Sequence, residues 1–250
     1  MTATALTTAL CRSALYEALA LGFRPPAPQA LARLTTPDAA DDLADAAAHL
    51  DPALVPLVRR LAADAPAVDA LCTQYTRLFG HTARGEVPVF ETEYGTDDQV
   101  RQPHELADLG GFYGAFGLQL APGAGERPDH VRCECEFLMV LARREAVACE
   151  RGDTPGREAV GHATRLFLRD HLGRFAPALG DRLERADPAG FYGALGALAA
   201  AVVVDDCKRF QVDAGTASLP LRDPTEEPVP MACGSCAQAP DLDADGDDGD

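Results

Sequence analysis

Apolar residues recur at helical spacing through most of the first 210 residues, and no other feature constrains the fold as strongly. Alanine and leucine dominate the apolar set, tryptophan is absent, and aromatic residues make up only 6% of the chain. Alanine and leucine are strong helix formers, whereas the β-branched and aromatic residues that favour strands are scarce. The sequence therefore predicts an all-α fold with a single globular helical domain.

The helix boundaries are predicted from this periodicity together with Gly, Pro and capping signals. The predicted helices span residues 5–22, 38–49, 53–63, 67–79, 104–116, 130–148, 157–172 and 188–210. Residues 80–103 contain Gly85, Pro88 and Gly95 and are predicted to form a long ordered loop, a feature that is often functional in a compact domain. Asp129 is the predicted N-cap of the helix that follows it.

Domain organisation follows from where the helical pattern stops. The helical domain is predicted to occupy residues 1–213. Residues 214–250 are rich in Pro, Asp and Gly and are predicted to be a disordered tail, since the last ten residues carry six Asp and no basic residue.

The net charge of −17 and the pI near 4.6 exclude two classes of partner. A surface this acidic repels the phosphates of nucleic acids and of anionic lipids. No signal peptide is recognisable, and no apolar run is long enough to span a bilayer. We therefore expect a cytoplasmic protein without stable membrane insertion.

Sequence motifs of common enzymes and cofactor sites are missing, so we expect neither a catalytic residue nor a bound cofactor. The acidic pairs Glu91/Glu93 and Glu134/Glu136 are the only candidates for acid–base chemistry. Residues two apart on a helix point in different directions, so Glu134 and Glu136 cannot face one substrate. Solvated or capping carboxylates are the simpler interpretation.

The cysteines leave a metal-binding alternative open. Cys233 and Cys236 have the spacing of half a zinc or iron–sulfur site, but no second CxxC supplies the remaining ligands. Cys133 and Cys135 lie two apart on a predicted helix and diverge. A small Cys-ligated metal-binding helical protein therefore stays an alternative, and in a reducing compartment the default for these residues is the free thiol.

An ordered set of short motifs is the most informative feature of the chain. Residues 75–79 read YTRLF at the end of a predicted helix, and residues 88–95 read PVFETEYG in the long loop. They are followed by DLGGFYGAFGL at 108–118, by ERPDH at 126–130 and by FLRDHL at 167–172. Taken singly, each aromatic residue is simply a core residue and Asp129 a simple helix cap.

Together, these motifs resemble the redox-enzyme maturation chaperones, which include those for trimethylamine N-oxide reductase, dimethyl sulfoxide reductase and nitrate reductase. The resemblance covers about residues 74–207 and is closest to the branch serving type II dimethyl sulfoxide reductase-like enzymes. Many relatives place a residue between the Pro and the Asp-His of the fourth motif, whereas here Pro128 directly precedes Asp129.

This resemblance implies an all-helical chaperone that binds the apo catalytic subunit of a molybdopterin oxidoreductase, or its twin-arginine leader, until the cofactor is inserted. An apolar groove would hold the leader's apolar face, and carboxylates would meet its arginines. His130 would orient Asp129, unless it only caps or packs locally. The sequence leaves monomer or homodimer open, and a helical scaffold without a leader site is a further alternative. The predicted client-binding residues are Tyr75, Leu78, Phe79, Phe90, Glu91, Glu93, Tyr94, Tyr113, Phe116, Asp129, His130 and Glu134.

Overall fold

The computed structural model describes residues 2–63, 67–80, 85–96, 102–121 and 126–222, and these residues form one globular all-helical domain. Within these ranges there are ten α-helices, two short 3-10 turns and no β-strand. The helices are α1 (Thr2–Gly22), α2 (Pro28–Thr35), α3 (Pro37–Leu50), α4 (Val55–Ala63), α5 (Val68–Phe79), α6 (Gln102–Ala115), α7 (Val131–Arg151), α8 (Thr154–Asp170), α9 (Leu172–Ala186) and α10 (Phe191–Arg209). The all-α prediction is confirmed, and eight of these helices correspond to predicted ones.

Two helix pairs form the centre of the domain. Helix α1 packs along α7, and α9 packs along α10, more extensively than any other pair in the described chain. Leu15 and Leu19 of α1 and Leu138 and Leu141 of α7 are fully buried, as expected for amphipathic helices that share one core. None of the described helices combines the length and apolarity that a membrane span requires.

Helices α9 and α10 approach closely because both carry glycine at the crossing point. A Cβ atom on Gly180 would lie 2.5 Å from the carbonyl oxygen of Gly196, a distance that real side chains do not tolerate. With no side chains in the way, the two backbones pack directly against each other. The position of α9, and of the groups at its first turn, depends on this contact.

The sequence did not predict α9, and its internal proline is the physical reason. Proline has no N–H group, so Pro177 cannot donate to the carbonyl of Gly173 one turn earlier. That carbonyl instead accepts a hydrogen bond of 2.8 Å from the N–H of Gly215, in the segment that follows α10. A tertiary contact therefore satisfies the group that proline leaves unpaired. The eight-residue helix α2, which begins at Pro28, was also missed.

Candidate functional site

The loop over residues 85–96 is held on both sides by backbone hydrogen bonds. On one side, the N–H of Glu91 donates to the carbonyl of Asp129 (2.8 Å), and that of Val131 donates to the carbonyl of Val89 (2.9 Å). On the other side, the N–H of Arg222 donates to the carbonyl of Glu93 (2.8 Å), and Tyr94 forms an isolated β-bridge with Leu221. The loop is thus ordered between the start of α7 and the segment after α10. The described chain keeps these contacts beyond residue 213, where we predicted the domain to end.

Asp129 joins the loop to the turn before α7. Its carboxylate is fully buried and accepts hydrogen bonds from Thr92 Oγ1 (2.7 Å) and from Arg127 Nε (3.0 Å) and Nη2 (2.7 Å). The Arg127 guanidinium also lies over the Phe90 ring, 4.4 Å from its centroid. Charge-assisted bonds of this kind are among the stronger interactions in a protein. Through them, Asp129 holds the loop residue Thr92 close to the start of α7.

The predicted capping role of Asp129 is wrong, because the N-cap of α7 is His130. Its Nδ1 accepts a hydrogen bond of 3.0 Å from the N–H of Arg132. Burial, together with the nearby Arg132 and Arg127, lowers the pKa of His130 to about 4, which keeps the ring neutral and able to accept. Thr92 and Arg127, rather than His130, orient the Asp129 carboxylate.

A second buried contact ties the loop to α9. Glu91 is 5% exposed, and its Oε2 lies 3.0 Å from Nδ1 of His171, the residue between α8 and α9. Burial raises the pKa of Glu91, while the hydrogen bond and the charge of His171 oppose that shift. The other ring nitrogen, Nε2, lies 3.2 Å from Oδ2 of Asp108 on α6. His171 therefore lies where the loop, α6 and α9 meet.

Glu134 is the least satisfied group of this region. It is fully buried on α7, and within the described residues neither of its carboxylate oxygens has a hydrogen-bond partner. Burial raises the pKa of Glu134 well above its usual value, and the nearby charges of Glu91 and Asp129 raise it further. Both effects favour the neutral, protonated form of the side chain.

These positions correct the expectation that four carboxylates face the arginines of a ligand. Glu91, Asp129 and Glu134 lie beneath the surface, and Glu93 is half-buried. A buried carboxylate acts on a ligand only through the groups that it positions. The part of these residues in client binding stays a prediction.

The aromatic and aliphatic residues of the predicted groove are also mostly core residues. Leu78 is fully buried and Tyr94 is 2% exposed, with its hydroxyl donating to the carbonyl of Pro88 at 2.7 Å. Neither can line an open groove. The half-buried members of the set are Tyr75, Phe79, Phe90 and Phe116, whereas Tyr113 is buried and donates to the carbonyl of Pro128 at 2.7 Å.

An open cleft of about 700 Å³ lies over this buried cluster, and the sequence did not predict it. It is lined by Glu91, His104, Glu105, Asp108, Arg169, Asp170, His171 and Arg174. Five of these, Glu91, Asp108, Arg169, Asp170 and His171, belong to recognised motifs, so a signal for part of the cleft was present. A second, smaller cleft of about 290 Å³ lies between α1, α7 and residues 118–120 and has a more apolar lining.

Metal binding finds no support among the described residues. Within them, no group of three or more His, Cys, Asp or Glu side chains is placed to hold an ion. Cys133 and Cys135 are buried free thiols, and burial raises the pKa of Cys133 to about 12. Cys233 and Cys236 lie outside the residues that the structure describes.

Comparison with known proteins agrees with the resemblance seen in the motifs. Residues 36–180, more than half of the chain, match the family described as nitrate reductase delta subunit. A segment of 69 residues is also 41% identical to the dimethyl sulfide dehydrogenase assembly chaperone protein of Rhodovulum sulfidophilum. That segment covers 26% of this chain and 27% of the relative, so the chain spans about a quarter of the curated relative that it matches.

Proposed function

Because the chain belongs to the nitrate reductase delta subunit family of redox-enzyme assembly chaperones, which are not enzymes, we propose that it is a dedicated chaperone for one molybdenum oxidoreductase. Its client is the catalytic subunit, bound through its leader or in its apo form. The chaperone acts in the cytoplasm, before the client is exported.

The mechanism that we propose requires binding of the client and no catalytic step. While the chaperone occupies the leader or an exposed region of the immature subunit, export is delayed until the bis-pterin molybdenum cofactor has been inserted. The negative net charge of −17 attracts a basic leader and raises its rate of association.

One observation carries this proposal: the separate motifs meet at a single place in the fold. The ETEY loop, the ERPDH turn and the FLRDHL segment join through the Thr92–Asp129 and Glu91–His171 contacts. These residues are 37 and 80 positions apart in the chain. Such convergence supports a shared function of the motifs, because it gathers three of them beside one open cleft.

The test is a pull-down of the tagged full-length chain from host cells that express a molybdenum oxidoreductase, followed by mass spectrometry. We expect one catalytic subunit to co-elute, in its cofactor-free form. A parallel culture in which cofactor synthesis is blocked should yield more of this subunit, because maturation stops at the bound stage. Recovery of the same amount of cofactor-loaded subunit, or of no subunit, would refute the proposal.

A further inference from the structure

The open cleft beside α6 offers more negative than positive groups to a ligand. Four carboxylates and two arginines line it. Both arginines already have partners: Arg169 donates to both oxygens of Asp170 (2.7 and 2.6 Å), and Arg174 Nη1 donates to the carbonyl of Asp170 at 3.3 Å. Arg174 Nη1 also lies 3.8 Å from Glu91 Oε1, so each arginine has a carboxylate beside it, and the carboxylates of the cleft outnumber its arginines.

Asp108 is the carboxylate that remains available. Glu91 is buried against His171, and Glu105 accepts two hydrogen bonds from Arg222 (2.9 and 2.8 Å). Asp108 is 63% exposed, and its Oδ1 has no hydrogen-bond or ion-pair partner among the described residues. It stands at the cleft wall on the second turn of α6.

A second observation that supports a ligand site is the buried histidine behind Asp108, which has a ring nitrogen without a hydrogen bond. The His171 side chain is only 3% exposed, and its Nε2 points at Asp108 Oδ2 from 3.2 Å without forming an aligned hydrogen bond. Its other nitrogen is held by Glu91, and the Phe112 and Phe167 rings pack on it at centroid distances of 5.2 and 5.0 Å. A buried imidazole with an unpaired nitrogen is rare unless something completes the site.

We propose that this cleft binds an arginine side chain of the client, with Asp108 as the main contact and His171 as the residue that positions Asp108. The inference rests on the proposed function, since it assigns a place to the basic leader of the client. The proposed contact with the client's arginine thereby shifts from Asp129, which is buried, to Asp108, which belongs to a different motif and is exposed to a ligand.

The chemistry of the cleft favours arginine over other ligands. A guanidinium presents parallel N–H donors and forms two bonds with one carboxylate, whereas a lysine ammonium cannot. Asp170, which is 36% exposed and already binds one guanidinium, provides a second acceptor near the first. An anionic ligand would meet four carboxylates and find both arginines paired.

The experiment uses the full-length chain and a blocked synthetic peptide with two adjacent arginines followed by an apolar stretch. Its counterparts carry two lysines or two glutamines. Affinity is measured by calorimetry for the wild type, Asp108→Asn and Asp42→Asn. Asp42 is an exposed residue of α3 outside the cleft, so its variant loses the same charge from another surface.

We expect the arginine peptide to bind more tightly than the lysine peptide and the glutamine peptide not to bind. Asp108→Asn should weaken binding about tenfold, the loss of one charge-assisted bond, while Asp42→Asn should not. A His171→Gln variant, checked for native helix content, should weaken binding less than Asp108→Asn.

Two outcomes would overturn the cleft assignment. If Asp108→Asn and Asp42→Asn bind the arginine peptide with equal affinity, Asp108 is not part of the site. If the arginine peptide fails to bind while the same protein still captures the catalytic subunit, the cleft does not bind an arginine of the client. Because capture of the subunit is measured separately, both results leave the proposed function standing.

Discussion

Two of the buried clusters of charged residues in the described part of the chain differ in how completely their polar atoms are paired. In the first, Arg12 of α1 donates to both oxygens of Asp206 on α10 (2.7 and 2.9 Å) and to Glu145 on α7 (2.5 Å). Tyr16 donates to the same Asp206 at 2.9 Å. In the second, beneath the loop, both oxygens of Glu134 and Nε2 of His171 lack hydrogen bonds within the described residues.

This difference separates a structural role from a functional one. A buried network with every member paired fixes the helices that contribute to it. A buried polar atom without a partner costs stability, and a fold retains such a group where something other than stability requires it. His171 lines the cleft beside α6 and belongs to a recognised motif, whereas Glu145 of the paired cluster lines a different cleft of about 710 Å³ and belongs to no motif.

The largest effect is expected in the paired cluster. Arg12→Met keeps a similar volume but removes the cation that binds both oxygens of the buried Asp206, leaving only Arg209 at 3.6 Å. We expect the free energy of unfolding to fall by about 3–5 kcal/mol, measured by urea denaturation. The control is Arg59→Met, which removes an ion pair with Asp41 that is more than half exposed on both sides and should cost no more than about 1 kcal/mol. Equal losses in the two variants would contradict the structural role of the cluster.

An intermediate effect is expected at Asp129. Asp129→Asn preserves the size of the side chain but removes the charge that Arg127 and Thr92 bind, so the free energy of unfolding should fall by about 2 kcal/mol. The matched substitution Asp42→Asn, at an exposed position, should change it by no more than about 0.5 kcal/mol. Hydrogen exchange of residues 88–95 should also accelerate in the first variant. Unchanged exchange would show that Asp129 does not hold the loop.

The smallest change in the free energy of unfolding is expected for Glu134→Gln, and it is an increase rather than a decrease. Its pKa is raised in the folded state, so the folded protein retains a proton that the unfolded chain releases above about pH 4.3. Stability therefore falls as the pH rises from that value towards the folded-state pKa. Glu134→Gln removes this penalty and should be more stable than the wild type near neutral pH.

The pH dependence provides the check on Glu134. The advantage of Glu134→Gln should shrink as the pH is lowered from about 7 to about 4.5, because the wild-type side chain then keeps its proton in both states. Glu136→Gln, at a half-buried position on the same helix, is the matched control. A stability difference that stays constant over this range would mean that Glu134 is ionised in the fold.

Much of the fold follows from local sequence patterns. Local periodicity agrees with the burial on α7 and α10, where Val131, Leu138, Leu195 and Val202 are all buried. Helix α9 was missed because Pro177 argues against a helix locally, and only the distant Gly215 satisfies the carbonyl that the proline leaves free.

The site was only partly predictable. The motifs indicated which segments matter, but they did not show that Asp129 and Glu134 are buried, that His130 caps α7, or that Asp108 stands exposed over His171. These properties depend on which segments pack together. Burial decides whether a carboxylate meets a ligand or a neighbouring side chain, and a sequence pattern contains no measure of burial for an isolated polar residue.

The sequence by itself determined the helical class, most of the helix positions and the family to which the chain belongs. All three depend on local periodicity and on short motifs, which can be recognised within one segment. The tertiary structure alone decided the pairing of Arg12 with Asp206, 194 residues away, and of Glu91 with His171, 80 residues away. Such pairs form only when packing brings distant helices together, and packing also fixes which of their charges remain open to a partner.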